Sequence, residues 1–267
     1  MKKRKILYIS MSIPYDNVPH AGGKTFNYYI NGFANDIDNE VTMIAKVLPE
    51  EEHQIENINP NINTIIVRTP KNKVKKYISY IKSLNSKINP LYRYGNVLTK
   101  EIFNQIGNEL DKLKNTGYVP DIVILEWTWM LLFIDQVKKR FPNAKYIASE
   151  HDVSFLGAQR QYENAKGFKK IYKKLYYNNL YKREILSINK CDYVVTHNAK
   201  DKKLLLKNGA EIYRVEESLE RMCQSYGFQD IGVFALPTYF TMSVTFQDGT
   251  STSLTKRTLQ KRTNLDA

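Results

Sequence analysis

The 267-residue chain has little cysteine, only Cys191 and Cys223. Two well-separated thiols exclude a disulfide-stapled secreted scaffold and fit a reducing, cytoplasmic setting. Long apolar runs are also missing. The stretch 130–134 falls far short of the ~20 apolar residues that a membrane span requires. The basic opening Met1-Lys2-Lys3-Arg4-Lys5 leads into a short run that alternates like a strand, not into the apolar core of a signal peptide. Histidines are scarce: His20, His53, His151 and His197. None is spaced from another, or from a cysteine, as metal ligands are, so no metal site is expected.

What is present is globular composition: 42% hydrophobic, 12% aromatic and 25% charged residues exclude wholesale disorder. The net charge of +13 is unevenly spread. Residues 1–209 hold 34 basic and 20 acidic residues, whereas 210–267 hold 6 and 7. Asparagine falls from 23 in the first part to 1 in the second. Two differently composed segments therefore meet near Gly209. Lysine outnumbers arginine in the basic part and no recognition module is present, which argues against nucleic acid as a partner.

Residues 5–11 (KILYISM), 41–47, 64–67, 121–125 (DIVIL), 145–149 and 192–196 read as short buried strands. Between them, helices are expected at 24–34, in two pieces over 74–113, near 129–140, over a long region 154–189, and at 201–207. This alternation implies an α/β fold with a Rossmann-like parallel sheet. Functional groups in such sheets gather at the carboxyl ends of the strands. Gly22-Gly23, Glu126-Trp127 and Glu150-His151-Asp152 all fall there.

The order of KILYISMSIP, AGGKTFNYYINGFA, EVTMIA, PDIVILEWTWM, YIASEHDVSF and CDYVVTHNAKDKKLLLKNG resembles the N-terminal, acceptor-side domain of GT-B-type glycosyltransferases over residues 5–209. The resemblance implies sugar transfer from a nucleotide-sugar to a glycan or lipid-linked acceptor, with the nucleotide-sugar as substrate and no separate cofactor. It makes His151 the catalytic candidate, placed in the cleft near the donor sugar. Gly22 and Gly23 would let backbone N–H groups approach a phosphate or acceptor at a helix start. Asp152 would orient His151, Glu150 would hold an acceptor hydroxyl, and Glu126 and His20 join as substrate-binding candidates. His197 reads as helix-start chemistry and His53 as solvated. Glu101 and Glu109 reproduce the spacing of the family's paired-glutamate motif in the wrong place, on a surface helix. The family's donor-binding domain is not found, so a truncated enzyme with little turnover alone is expected. The Lys- and Tyr-rich stretches 71–93 and 166–183 suit peripheral contact with an anionic membrane at its inner face, or else a solvated face on a core-packed helix.

After Gly209, residues 212–226 place apolar side chains on one helical face, and 240–246 alternate at period two before Asp248-Gly249 and a return strand at 250–258. A helix plus a β-meander is expected over 210–267. This stretch is similar to the N-terminal soluble segment of the threonine/serine exporter family. The alternatives to the transferase are thus a soluble exporter fragment, or a non-catalytic module that binds membrane surfaces.

Overall fold

A computed structural model of the chain describes residues 3–68, 100–196, 201, 204–205, 229–236, 239–245 and 250–257. Six strands pair in parallel: β1 (Arg4–Ser10), β2 (Asn39–Val47), β3 (Ile62–Arg68), β4 (Ile122–Glu126), β5 (Lys145–Glu150) and β6 (Tyr193–Thr196). Their order is β3-β2-β1-β4-β5-β6, so the winding reverses between β1 and β4. The α/β, Rossmann-like class read from the sequence is the observed one. Each of these strands lies within two residues of its expected bounds.

Alternation at period two divides the core. Leu7, Ile9, Val123, Leu125, Tyr146 and Ala148 face one side of the sheet, and Ile6, Tyr8, Val41, Met43, Ala45 and Ile124 face the other. Helix α1 (Ala21–Asn35) covers the second side with Phe26, Ile30 and Ala34. The first side is covered by α2 (Lys100–Asn115), α3 (Ile134–Arg140), α4 (Ser154–Glu163) and α5 (Gly167–Ile188). Three layers result, and both faces of the sheet are dry.

Two expected helices differ in detail. The region 154–189 is two helices, because Gly167 takes φ +57 and the chain turns there. The region 129–140 begins as a 3-10 turn, Thr128–Phe133, before α3. Of the stretch 74–113 only the part from Lys100 onward is described, and it is helical. The basic stretch 71–93, His197 and the helix expected at 212–226 lie outside the described residues. A separate antiparallel sheet joins β7 (Gln229–Leu236), β8 (Tyr239–Thr245) and β9 (Ser251–Arg257) in that order. The meander is therefore present, while its Asp248-Gly249 turn is outside the described residues. Cys191 is buried, and its thiol contacts the Ser187 carbonyl at 3.6 Å. Among the described residues, no helix is long and apolar enough to cross a membrane.

Candidate functional site

Open α/β sheets hold their ligand crevice at such a winding reversal, which here falls at the carboxyl ends of β1 and β4. Ser10 sits beside Glu126, and Glu126 beside Ser149, in the strand register. The residues following these strands form the walls.

Glu126 and His151 are bonded to each other, His151 Nε2 with Glu126 Oε1. Both are almost fully buried, at 4% and 9% exposure, so the contact is shielded from water. Ser149 Oγ donates to the same carboxylate oxygen at 3.0 Å. A buried carboxylate is tolerable only with hydrogen-bond partners, and Ser149 and His151 both supply one to Oε1. The bonded ring nitrogen of His151 is thereby fixed in direction. The sequence reading gave the orienting role to Asp152. In the structure Glu126 holds the ring, while Asp152 has an exposed side chain and its carbonyl accepts from Thr128 Oγ1 at 2.7 Å.

Trp127 lies flat on His151, with ring centroids 3.9 Å apart and planes inclined by 28°. Its backbone has φ 78, a conformation that bulky residues rarely adopt. The Trp127 N–H donates to the Ser149 carbonyl at 3.0 Å, which helps hold that conformation. The indole Nε1 is buried and, among the described residues, has no hydrogen-bond partner. His20 meets the other side of the site, with its ring edge-on to Trp127 at 5.7 Å.

The glycines are explained by this packing. A Cβ on Gly22 would lie 2.5 Å from Trp127 Cη2 and 3.1 Å from His151 Nδ1. Position 22 must be bare for the indole and imidazole to approach α1. The Gly23 N–H donates to His20 Nδ1 at 2.9 Å, so His20 is the N-cap of α1. Gly22, Gly23, His20, Glu126, Trp127 and His151 are thus brought together.

Glu150 is not with them. It is one residue from Ser149 in the strand, and successive strand residues face opposite sides of a sheet. Glu150 therefore points to the α5 side, fully buried. There it shares a pocket of negative charge with Glu184, 3% exposed, and Asp201, 6% exposed. Burial pushes the Glu150 carboxyl up to about 8. Asp201, Glu126 and Asp152 add to the rise, and the Thr128 hydroxyl opposes it. Hydrogen counting agrees. Thr128 Oγ1 contacts both Glu150 Oε2 and the Asp152 carbonyl, yet a hydroxyl has one hydrogen. The one Thr128 hydrogen is thus shared between two acceptors, and Glu150 Oε1 is buried without a partner among the described residues, so the charged carboxylate is poorly satisfied. Glu184 is also driven well above the ordinary carboxylate range, by burial first and then by Glu150. Its two oxygens accept from the N–H groups of Ser154 and Phe155, both at 3.1 Å, which caps the start of α4. Trp127 stood in the sequence only as the neighbour of Glu126 in a strand-end cluster, and Thr128, Ser149, Glu184 and Asp201 were not singled out. Only Trp127 and Ser149 carried a hint, through their place at strand ends. His53 is on the 3-10 turn Pro49–Asn57, away from the crevice.

Comparison with known proteins follows from this geometry. Residues 203–267 match the family model ThrE, described as a threonine/serine exporter. The match covers the second segment and starts a few residues before the composition break at Gly209. No curated protein matches the chain. Among solved structures, the trehalose-6-phosphate phosphatase N-terminal domain of Candida albicans aligns at 14% identity with a TM-score of 0.41, over 92% of this chain. The chain spans 46% of that structure's length. A likeness so distant bears on neither activity nor substrate.

Proposed function

We propose that residues 1–209 are the acceptor-side domain of a GT-B-type glycosyltransferase, which presents a glycan or lipid-linked acceptor to a nucleotide-sugar donor. One observation carries the reading. Trp127 is held at positive φ in the crevice, stacked on His151, with its indole N–H buried and unpaired among the described residues. Backbone strain of this kind costs on the order of 1–3 kcal/mol and persists where function fixes it. A buried N–H without an acceptor costs about 1–3 kcal/mol more. A sugar hydroxyl satisfies that donor, and the adjoining indole and imidazole faces suit the apolar face of a sugar ring.

His151 is the catalytic residue in this reading, with Glu126 as its positioning residue. A ring whose Nε2 is fixed by a carboxylate holds Nδ1 in one direction, on the side of the ring that meets the start of α1. It can hydrogen-bond a hydroxyl there or stabilise charge that develops during transfer. His20 and the α1 start, including Gly22 and Gly23, lie on that side. Glu150 and Asp152 support the wall through Thr128 without facing the sugar.

Calorimetric titration with UDP- and GDP-sugars and with short oligosaccharides tests the reading. Trp127→Phe keeps an aromatic ring at the position and removes the N–H together with part of the indole, so the variant is first checked for an unchanged circular-dichroism spectrum. It is expected to weaken sugar binding by roughly ten- to a hundredfold, as the loss of one buried bond implies. Unchanged affinity would remove Trp127 from the site. Residues 210–267 have a second reading, supported by the family match: they act as an exporter-like soluble segment appended to the sugar-binding domain.

A further inference from the structure

Helix α5 has a face that packs against none of the described residues of its own fold. At 3.6 residues per turn, Tyr177, Tyr181, Glu184 and Ile188 share one side of it. That side packs on α4 and the sheet: Tyr177 stacks on Tyr162 at 6.2 Å, Tyr181 meets Phe155 at 5.1 Å, and Ile188 is fully buried. Phe168, Ile171, Leu175 and Leu186 fall on the opposite side, at 92%, 60%, 46% and 61% exposure. The stripe therefore cannot be core. The exposed apolar stripe favours a docking face over a purely solvated one.

Charge identifies the occupant. Residues 164–183 contain six lysines and one arginine and no acidic residue. Among the described residues, Lys166, Lys169, Lys170, Lys173 and Lys174 make no ion pair; Lys173 donates to the amide of Gln161, and Lys170 sits over the Tyr162 ring. Of these, Lys169 and Lys174 border the apolar stripe, whereas Lys166, Lys170 and Lys173 lie on the α4 side; an apolar stripe bordered by unneutralised lysines fits a surface that is apolar inside and anionic outside. Lysine, a point charge on a long apolar stem, reaches phosphate headgroups while its stem lies along the apolar boundary. Arginine, favoured for paired contacts to a protein carboxylate, is nearly absent.

Position agrees. The strand that follows α5 is parallel to the others, so α5 runs back from the carboxyl edge of the sheet. Its 22 residues span roughly 33 Å, against roughly 20 Å for the 6-residue β5. The core contacts lie in its second half. The first half, with Phe168 and Ile171, thus overhangs the edge that holds the crevice. We infer that the first half of α5 docks on an anionic membrane surface through Phe168, Ile171 and Leu175, with the flanking lysines on headgroups. The inference stands independently of the transferase reading.

Flotation of the full chain with phosphatidylcholine vesicles, with and without phosphatidylglycerol, tests it. Binding to the mixed vesicles is expected to exceed binding to the neutral ones at least tenfold. Phe168→Ser with Ile171→Ser should lower binding to mixed vesicles by a further tenfold or more, while circular dichroism stays unchanged. Each of Lys169→Gln and Lys174→Gln should lower it by about fivefold. Equal binding to both vesicle types overturns the inference. So does binding that ignores Phe168→Ser/Ile171→Ser, which would place the contact on another surface. Dimerisation of the chain in buffer that these two changes abolish would assign the stripe to a second copy instead.

Discussion

At the level of single residues, the two paired glycines are governed by neighbours and not by conformational freedom. Gly22 faces a rigid indole, whereas Gly32, in the same helix, would place a Cβ in open space. Gly22→Ala should therefore destabilise the chain by about 1–3 kcal/mol through overpacking. Gly32→Ala should stabilise it by about 0.5–1 kcal/mol, the ordinary gain for alanine inside a helix. Urea melts of the two variants check both signs. Glu150 gives a pH signature. Its folded carboxyl titrates near about 8, against an ordinary 4.5 in the unfolded chain. Between those values the unfolded state has released a proton that the folded state keeps. Stability from this group is thus whole below pH 4.5 and declines as pH rises to about 8, by a few kcal/mol in order of magnitude. Glu150→Gln, an uncharged mimic of the acid, should flatten that decline, as melts from pH 5 to about 8 would show. The sequence displayed Glu150, His151 and Asp152 as one cluster. It could not display their separation, because that follows from where the strand ends: one more residue in β5 sends Glu150 through the sheet. The left-handed Trp127 was equally hidden, since glycine is the residue that ordinarily announces positive φ.

At the level of elements, the parallel strands were legible because each is a short apolar run buried on both faces. The helices were legible where one apolar face repeats, as in α1 with Phe26, Ile30 and Ala34. The break between α4 and α5, at Asn164-Ala165-Lys166, was not, because no proline marks it and the aromatic residues Tyr162 and Phe168 stand so closely on either side. Gly167 was the available signal, and it adopts φ +57 with open space where a Cβ would go. Backbone strain is then the only effect of a substitution there. Gly167→Ala should cost about 1–2 kcal/mol, measurable by denaturant titration, with no change in the crevice. A similar limit applied to β7. The run QDIGVFAL neither alternates cleanly nor lacks glycine, so only the meander as a whole was readable.

For the whole molecule, charge and composition point to two parts; the structure holds two separate sheets, and the exporter family match begins at residue 203. If residues 1–209 and 210–267 fold as separate units, scanning calorimetry should resolve two heat-absorption steps, and a single step would join them into one. The larger part brings its sugar-binding candidates together from three places, the start of α1 and the ends of β4 and β5. Nuclear magnetic resonance on isotope-labelled chain tests that convergence most directly, by titration with UDP- and GDP-sugars and short oligosaccharides. The account predicts saturable shifts at the Gly22 and Gly23 amides, the Trp127 indole and the His151 ring for at least one of these ligands, and their loss in Trp127→Phe. Shifts confined to residues outside the crevice, or none with any ligand, would contradict it.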